Sequence, residues 1–322
     1  MTVLIKGAGI AGLTAAFALA RKGLNVTLLD PNPPGTGASH YAGGMLAPWC
    51  EGETAPPVVV DAGIRAIVWW DAALPGLVER KGTLVVAPPR DQSELDRFAR
   101  RTTHHEWLDE AAIAALEPAL AGRFRRGLFF PEEAHLDPRL AMAALTDALT
   151  RMGGAILHEA DERGFAHIID CTGRAAIAPG SQLRGVRGEM LYLKTNEVAL
   201  SRPVRLLHPR IPLYIVPRGD GRFMVGATMI ESEHDGPISA RSLMELLNAA
   251  YTLHPAFGEA EVIETGTGIR PAYPDNIPRI TGAGRYWAIN GLYRHGFLMA
   301  PALAEELVEQ LATQPQRRTA TA

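Results

Sequence analysis

Residues 2–30 limit what this chain can fold into more than any other stretch. Val3-Leu4-Ile5 reads as a short apolar strand, Gly7-Ala8-Gly9-Ile10-Ala11-Gly12 follows it, and an Ala/Leu-rich helix runs to Lys22. A second strand from Asn25 to Leu29 then ends in Asp30, followed by Pro31. Each glycine has its own task in such a strand–turn–helix–strand unit. Gly7 permits the tight turn, Gly9 lets backbone approach a pyrophosphate, and Gly12 allows close helix–sheet packing. The helix start at Ile10 and Ala11 offers unsatisfied N–H groups and partial positive charge to phosphates. Asp30 lies where a carboxylate can bind ribose hydroxyls. Alone, a GxGxxG is weak; with strand, helix, strand and acid in order it specifies a dinucleotide site. FAD and NAD are both open at this point.

A length of 322 residues gives room for about two domains. The net charge of −3 offers no basic excess for nucleic acid, and no long uncharged apolar span suggests a membrane helix. Cys50 and Cys171 are too far apart to suggest a metal site or a disulfide framework. Phe17-Ala18-Leu19-Ala20 resembles a signal cleavage site, but no basic segment precedes the apolar run, and cleavage would remove the phosphate-binding turn. The expectation is a cytoplasmic protein.

Beyond Asp30, residues 31–37 are too rich in Pro and Gly for regular structure. The stretch 38–48, with Ala38, Ser39, Gly43, Gly44 and Met45, suits a backbone lying against a flat ligand. Helices are expected over 64–77, 91–101, 138–152 (capped by Asp137), 240–253 and 301–312. Trp69 and Trp70 read as structural. Strands are expected over 83–87, 155–158, 167–170, 189–194, 213–217, 223–229 and 286–290. The strand 213–217 and its successor form a hairpin around Gly219-Asp220-Gly221. The strand 167–170 runs into Cys171-Thr172-Gly173, placing Thr172 and Gly173 against a cofactor, with Cys171 a packing residue. Residues 291–297 read as a loop, and the tail from Gln314, with Arg317 and Arg318, as disordered.

The fold class is α/β, a Rossmann-type dinucleotide-binding domain (1–80, 137–186 and 278–322) interleaved with an antiparallel-sheet α+β substrate domain (81–136 and 187–277).

Two arginines stand in glycine-rich settings, Arg270 in Gly266-Thr267-Gly268-Ile269-Arg270-Pro271 and Arg294 in Gly291-Leu292-Tyr293-Arg294-His295-Gly296-Phe297. A guanidinium in such a pocket can take a carboxylate through two parallel hydrogen bonds; a structural ion pair is the other reading of each. His295 could be a general base, though one histidine among ten is usually structural. There is no Ser–His–Asp arrangement with a supporting motif, no HExxH and no P-loop. A cofactor site without a separate acid–base engine suits flavin chemistry on amines.

These residues together resemble a known family. The N-terminal GxGxxG, the segment Ala42-Gly43-Gly44-Met45-Leu46-Ala47-Pro48, the hairpin from Tyr214 to Met229, Gly268-Ile269-Arg270-Pro271 and Gly291 to Gly296 look like the glycine oxidases of thiamine biosynthesis, a branch of the FAD-dependent D-amino-acid oxidase family. The resemblance implies non-covalent FAD and oxidation of a small amine by O2, giving an imine or glyoxylate, ammonia and hydrogen peroxide. By position it makes Arg270 the carboxylate anchor, with Tyr214 lining the same pocket and Met45 and Met229 as walls. Arg294 lies beside the flavin, in a loop with His295, Gly296, Phe297 and Leu298. A homotetramer is also implied. Three positions depart from the pattern: Asp30 for the more usual Glu, His295 where Asn is common, and Pro212 where a pocket-edge His can occur. The nearest rival is a D-amino-acid or sarcosine-type dehydrogenase passing electrons to a quinone. A non-catalytic flavoprotein subunit and a tRNA-modifying flavin domain stand further off, the latter without a basic surface.

Overall fold

The computed structural model describes residues 1–208 and 213–313, so Pro212 and the tail from Gln314 lie outside the described residues. Thr2–Lys6 sits inside a six-stranded sheet in the order Arg279–Ala283, Tyr286–Asn290, His167–Asp170, Thr2–Lys6, Asn25–Leu29, Ala155–Leu157. All neighbours are parallel except Arg279–Ala283, which is an antiparallel edge. Val3, Leu4 and Ile5 are fully buried, as expected for a strand covered on both faces. The helices Ile10–Arg21, Pro57–Ala73, Pro138–Arg151 and Gly296–Thr313 contribute to the same apolar core as this sheet.

The second sheet has nine strands. Eight of them run in the order Ile230–Glu231, Arg184–Lys194, Arg222–Gly226, Leu213–Pro217, Val204–Leu206, Thr83–Val86, Arg126–Phe130 and Glu106–Asp109, and Glu261–Ala272 pairs with Arg184–Lys194. Leu246, Ala250 and Leu253 of the helix Ala240–Leu253 share a core with Leu191, Ile215 and Val225 of this sheet. The chain therefore passes back and forth between a mostly parallel and a mostly antiparallel layer. The strand Arg184–Lys194 starts three residues before the boundary expected at 187, so that boundary falls inside it.

Several elements differ from the sequence expectation. Gly266 to Pro271, in no strand expected from the sequence, belongs to the twelve-residue strand Glu261–Ala272. The helix expected over 64–77 spans Pro57–Ala73, with Pro at its start. The strand expected over 223–229 ends at Gly226. The final helix begins at Gly296, so Pro301 lies within it and Gly296 and Phe297 are not loop residues. Proline cannot donate to the carbonyl four residues back, which here belongs to Phe297. Trp70 supplies the missing donor: its Nε1 donates to that carbonyl at 2.9 Å. Among the described residues no helix is long and apolar enough to cross a membrane.

One buried acid gives the core a pH dependence. Glu133 is fully buried, and its Oε1 accepts from the Cys50 N–H at 2.7 Å. Burial pushes its carboxyl up to about 7, against the Cys50 N–H, which favours the anion. A folded-state value above the unfolded one means stability that is present below about 4.5 and lost as pH rises through about 7. Glu133→Gln removes this titration. Between pH 4.5 and 8 the stability difference should shift toward the variant by on the order of 3 kcal/mol. Denaturant titrations at the two pH values check this, and a pH-independent difference would contradict it.

Candidate active site

The turn after the first strand is built by close backbone approach. Gly7 has φ 98°, and a Cβ there would lie 2.4 Å from the Cys171 carbonyl oxygen. A Cβ at Gly12 would lie 1.8 Å from the Gly7 oxygen, so the helix can sit against the turn only without one. At Gly9 the nearest atom to such a Cβ is Ser39 Oγ at 3.4 Å, which leaves its face open. The helix Ile10–Arg21 has no side-chain cap at Gly9, and its first N–H groups point into the same space. Among the described residues only the Ile10 N–H meets a side chain, donating to Ser39 Oγ at 3.1 Å. Asp30 Oδ2 accepts the Ala8 N–H at 2.8 Å and Oδ1 the Asn32 N–H at 2.9 Å, so this carboxylate fixes the turn from the tip of the second strand. Opposite, the Thr172 N–H and hydroxyl both donate to Asp170 Oδ1, at 2.8 and 2.6 Å. A side-chain-free cradle at a helix N-terminus fits the diphosphate of FAD.

Of the residues expected at the site, all but Gly12, Pro31 and His295 line one cavity of about 490 Å³. Gly12 is buried under Gly7, Pro31 is exposed, and His295 is buried beside Glu51 and Tyr293. The cavity runs from the glycine turn, past Ala38 to Met45, to Tyr214, Met229, Arg270 and Arg294. Gly43 and Gly226 make room for the Tyr214 ring; a Cβ at Gly43 would lie 2.5 Å from it.

The two arginines separate here. Arg294 donates through Nε to Glu51 Oε2 at 2.8 Å, with Nη2 2.7 Å from the same oxygen, a structural ion pair. Burial opposes charge on Glu51, yet Arg294, His295 and Arg205 hold its carboxyl far below the usual range. His295 Nδ1 lies 3.2 Å from Glu51 Oε2, out of line for a hydrogen bond. Arg270 has no ion pair among the described residues; its Nη1 donates to the Thr228 carbonyl at 3.1 Å. Burial lowers its pKa, though a guanidinium stays protonated in any working range. Burial raises the Tyr214 hydroxyl, with Arg270 pulling the other way. A Cβ at Gly188 would lie 2.1 Å from Arg270 Nη2, so this glycine vacates the space the guanidinium fills. Met229 is 44% exposed, its sulfur 3.5 Å from both Arg294 Nη1 and the Tyr293 hydroxyl. The site is thus a dinucleotide cleft that ends in a cationic pocket with an aromatic hydroxyl.

Glu51 and Arg205 also line the cavity and were not foreseen from sequence. Arg205 lies 3.4 Å from Glu53 and 4.0 Å from Glu51, joining two chain segments about 150 residues apart. Nothing local in the sequence marks such a pair. Among the described residues no group of His, Cys, Asp or Glu could hold a metal ion.

Comparison with known proteins agrees with this geometry. The profile of the FAD dependent oxidoreductase (DAO) family matches residues 2–310. A protein of Rhizobium etli described as a thiamine biosynthesis oxidoreductase is 62% identical over 99% of both chains. A glycine oxidase of Geobacillus kaustophilus is 28% identical over 97% of this chain and 93% of its own. The crystal structure of glycine oxidase from Geobacillus kaustophilus superposes with a TM-score of 0.83 at 22% identity, covering 98% of this chain and 95% of that one, a match of fold.

The Gly188 contact generates a test. In Gly188→Ala the far end of Arg270 is the part free to give way, so the fold should survive. Acetate binding, measured by calorimetry, should weaken at least about tenfold, the scale of one charge-assisted hydrogen bond. Unchanged acetate affinity would mean that the guanidinium does not hold carboxylates from this position.

Proposed function

The chain belongs to the FAD dependent oxidoreductase (DAO) family, and from that membership we propose that it is a glycine oxidase serving thiazole formation in thiamine biosynthesis. The balanced reaction is glycine plus O2 plus water to glyoxylate, ammonia and hydrogen peroxide. The observation that carries this reading is the Arg270 guanidinium, which faces the cavity with no carboxylate partner among the described residues. A half-buried cation without a counter-ion is costly, and a substrate carboxylate supplies that counter-ion through a fork of two hydrogen bonds. Tyr214 then donates its hydroxyl to the same carboxylate, remaining protonated because burial raises its pKa.

Gly7, Gly9 and the first turn of the helix would hold the diphosphate and Asp30 the ribose, and Ala38–Met45 with Gly296–Leu298 would line the rest of the cofactor cleft. FAD, bound without a covalent link, supplies two-electron acceptance from the substrate Cα–H and the return of those electrons to O2. The chain's part is orientation: Arg270 and Tyr214 would hold the substrate carboxylate at the end of the same cleft that would hold FAD. Arg294, neutralised by Glu51, leaves Arg270, among the described residues that line the cavity, as the cation free for an anionic substrate. Met45 and Met229 close the walls and favour a small side chain. A cytoplasmic homotetramer completes the proposal.

Replacing Arg270 by Lys removes the fork but keeps the charge. The loss should be roughly 1.5–3 kcal/mol, raising KM for glycine more than tenfold. Steady-state oxygen uptake with coupled peroxide detection measures it, and an unchanged KM removes Arg270 from this role. Turnover with a quinone but without oxygen uptake would instead support the dehydrogenase reading.

A further inference from the structure

Among the described residues the Arg270 guanidinium is held by a single protein hydrogen bond, to the carbonyl of Thr228, so its position is only as fixed as that carbonyl. Thr228 follows the strand Arg222–Gly226, and its neighbours Ala227 and Met229 both line the cavity. What fixes Thr228 is Glu189, on the adjacent strand. The Glu189 N–H donates to Thr228 Oγ1 at 2.9 Å, and that hydroxyl donates to Glu189 Oε2 at 3.2 Å. The Thr228 N–H donates to the Glu189 carbonyl at 3.1 Å, so three hydrogen bonds join the two residues. Glu189 is in turn immobile. It is fully buried, and its Oε1 accepts from Arg187 Nε at 3.0 Å, Arg187 Nη2 at 2.7 Å and the Ser239 N–H at 3.1 Å. Gly188, one residue before, lies under the guanidinium itself; side chains alternate across a strand, so Glu189 points away from the cavity.

We propose that Glu189 is a positioning residue for substrate recognition: through Thr228 it sets the carbonyl that aims Arg270 and the Ala227–Met229 wall beside it. This rests on the reading of Arg270 as the carboxylate anchor. A charged residue sealed in a strand would otherwise be a poor choice, since a buried ion pair gives little net stability. Here the charge makes the acceptor network strong enough to immobilise a short connecting segment.

The test is acetate titration of the FAD-loaded protein, followed through the flavin absorbance, together with KM and kcat for glycine. Thr228→Val removes the bridging hydroxyl and leaves the backbone carbonyl in place. It should raise the acetate Kd and the glycine KM together, by roughly five- to tenfold, the scale of one hydrogen bond. The kcat should change less than about twofold and bound FAD not at all, and Thr228→Ser should restore both constants. Where Thr228→Val does not fold, Glu189→Gln, which keeps shape and removes the charge, should give the same paired rise. The proposal is overturned if Kd and KM stay at wild-type values in a folded, flavin-loaded variant, or if kcat falls with them and Thr228→Ser restores nothing. Arg270→Lys, run alongside, tells the two failures apart. If it raises the acetate Kd while Thr228→Val does not, positioning by Glu189 alone is wrong; if neither does, the anchor itself is wrong and the proposal falls with it.

Discussion

A Cβ on Gly12 would lie 1.8 Å from the Gly7 carbonyl oxygen, and one on Gly7 would lie 2.4 Å from that of Cys171. Three backbone segments therefore meet without side chains between them: the turn, the first helix and the end of His167–Asp170. That contact puts the N-terminus of the helix at the carboxyl edge of the parallel sheet, where open α/β sheets bind their ligands. The remaining cofactor wall follows from it. Asp30 ties the turn to the second strand through the Ala8 N–H, and Ser39 meets the first helical N–H from the other side.

The far end of the cleft is organised by charge. Arg294 and Arg205 are matched by Glu51 and Glu53, leaving Arg270 unmatched among the described residues. Half-buried and uncompensated, that guanidinium can take a counter-ion from outside the chain. Arg270 also comes from the second sheet, while the phosphate cradle comes from the first. The cavity between them brings together what each sheet holds rigid.

Much of this was legible in sequence. The βαβ start, the Asp137-capped helix Pro138–Arg151, the helix Ala240–Leu253 and the hairpin around Gly219–Gly221 follow local rules that tertiary contacts leave intact. The strand Glu261–Ala272 was hidden by its own glycines. Those residues mark close approach and not chain reversal: a Cβ at Gly266 would lie 2.3 Å from the Tyr41 ring, and one at Gly268 3.1 Å from Ala38. Pro301 misled for a similar reason, because the donor that makes it tolerable, Trp70, is more than two hundred residues away. Glu51 and Arg205 carry no local signature at all, since their meaning lies in each other and in Arg294. Pairing across long separations is what local patterns cannot express.

The most direct measurement is the visible spectrum of the purified protein under anaerobic conditions, before and after glycine. The account predicts oxidised-flavin bands near ~375 and ~450 nm, loss of the ~450 nm band on adding glycine, and its recovery with peroxide when O2 is admitted. An oxidised flavin spectrum that glycine leaves unchanged would contradict it.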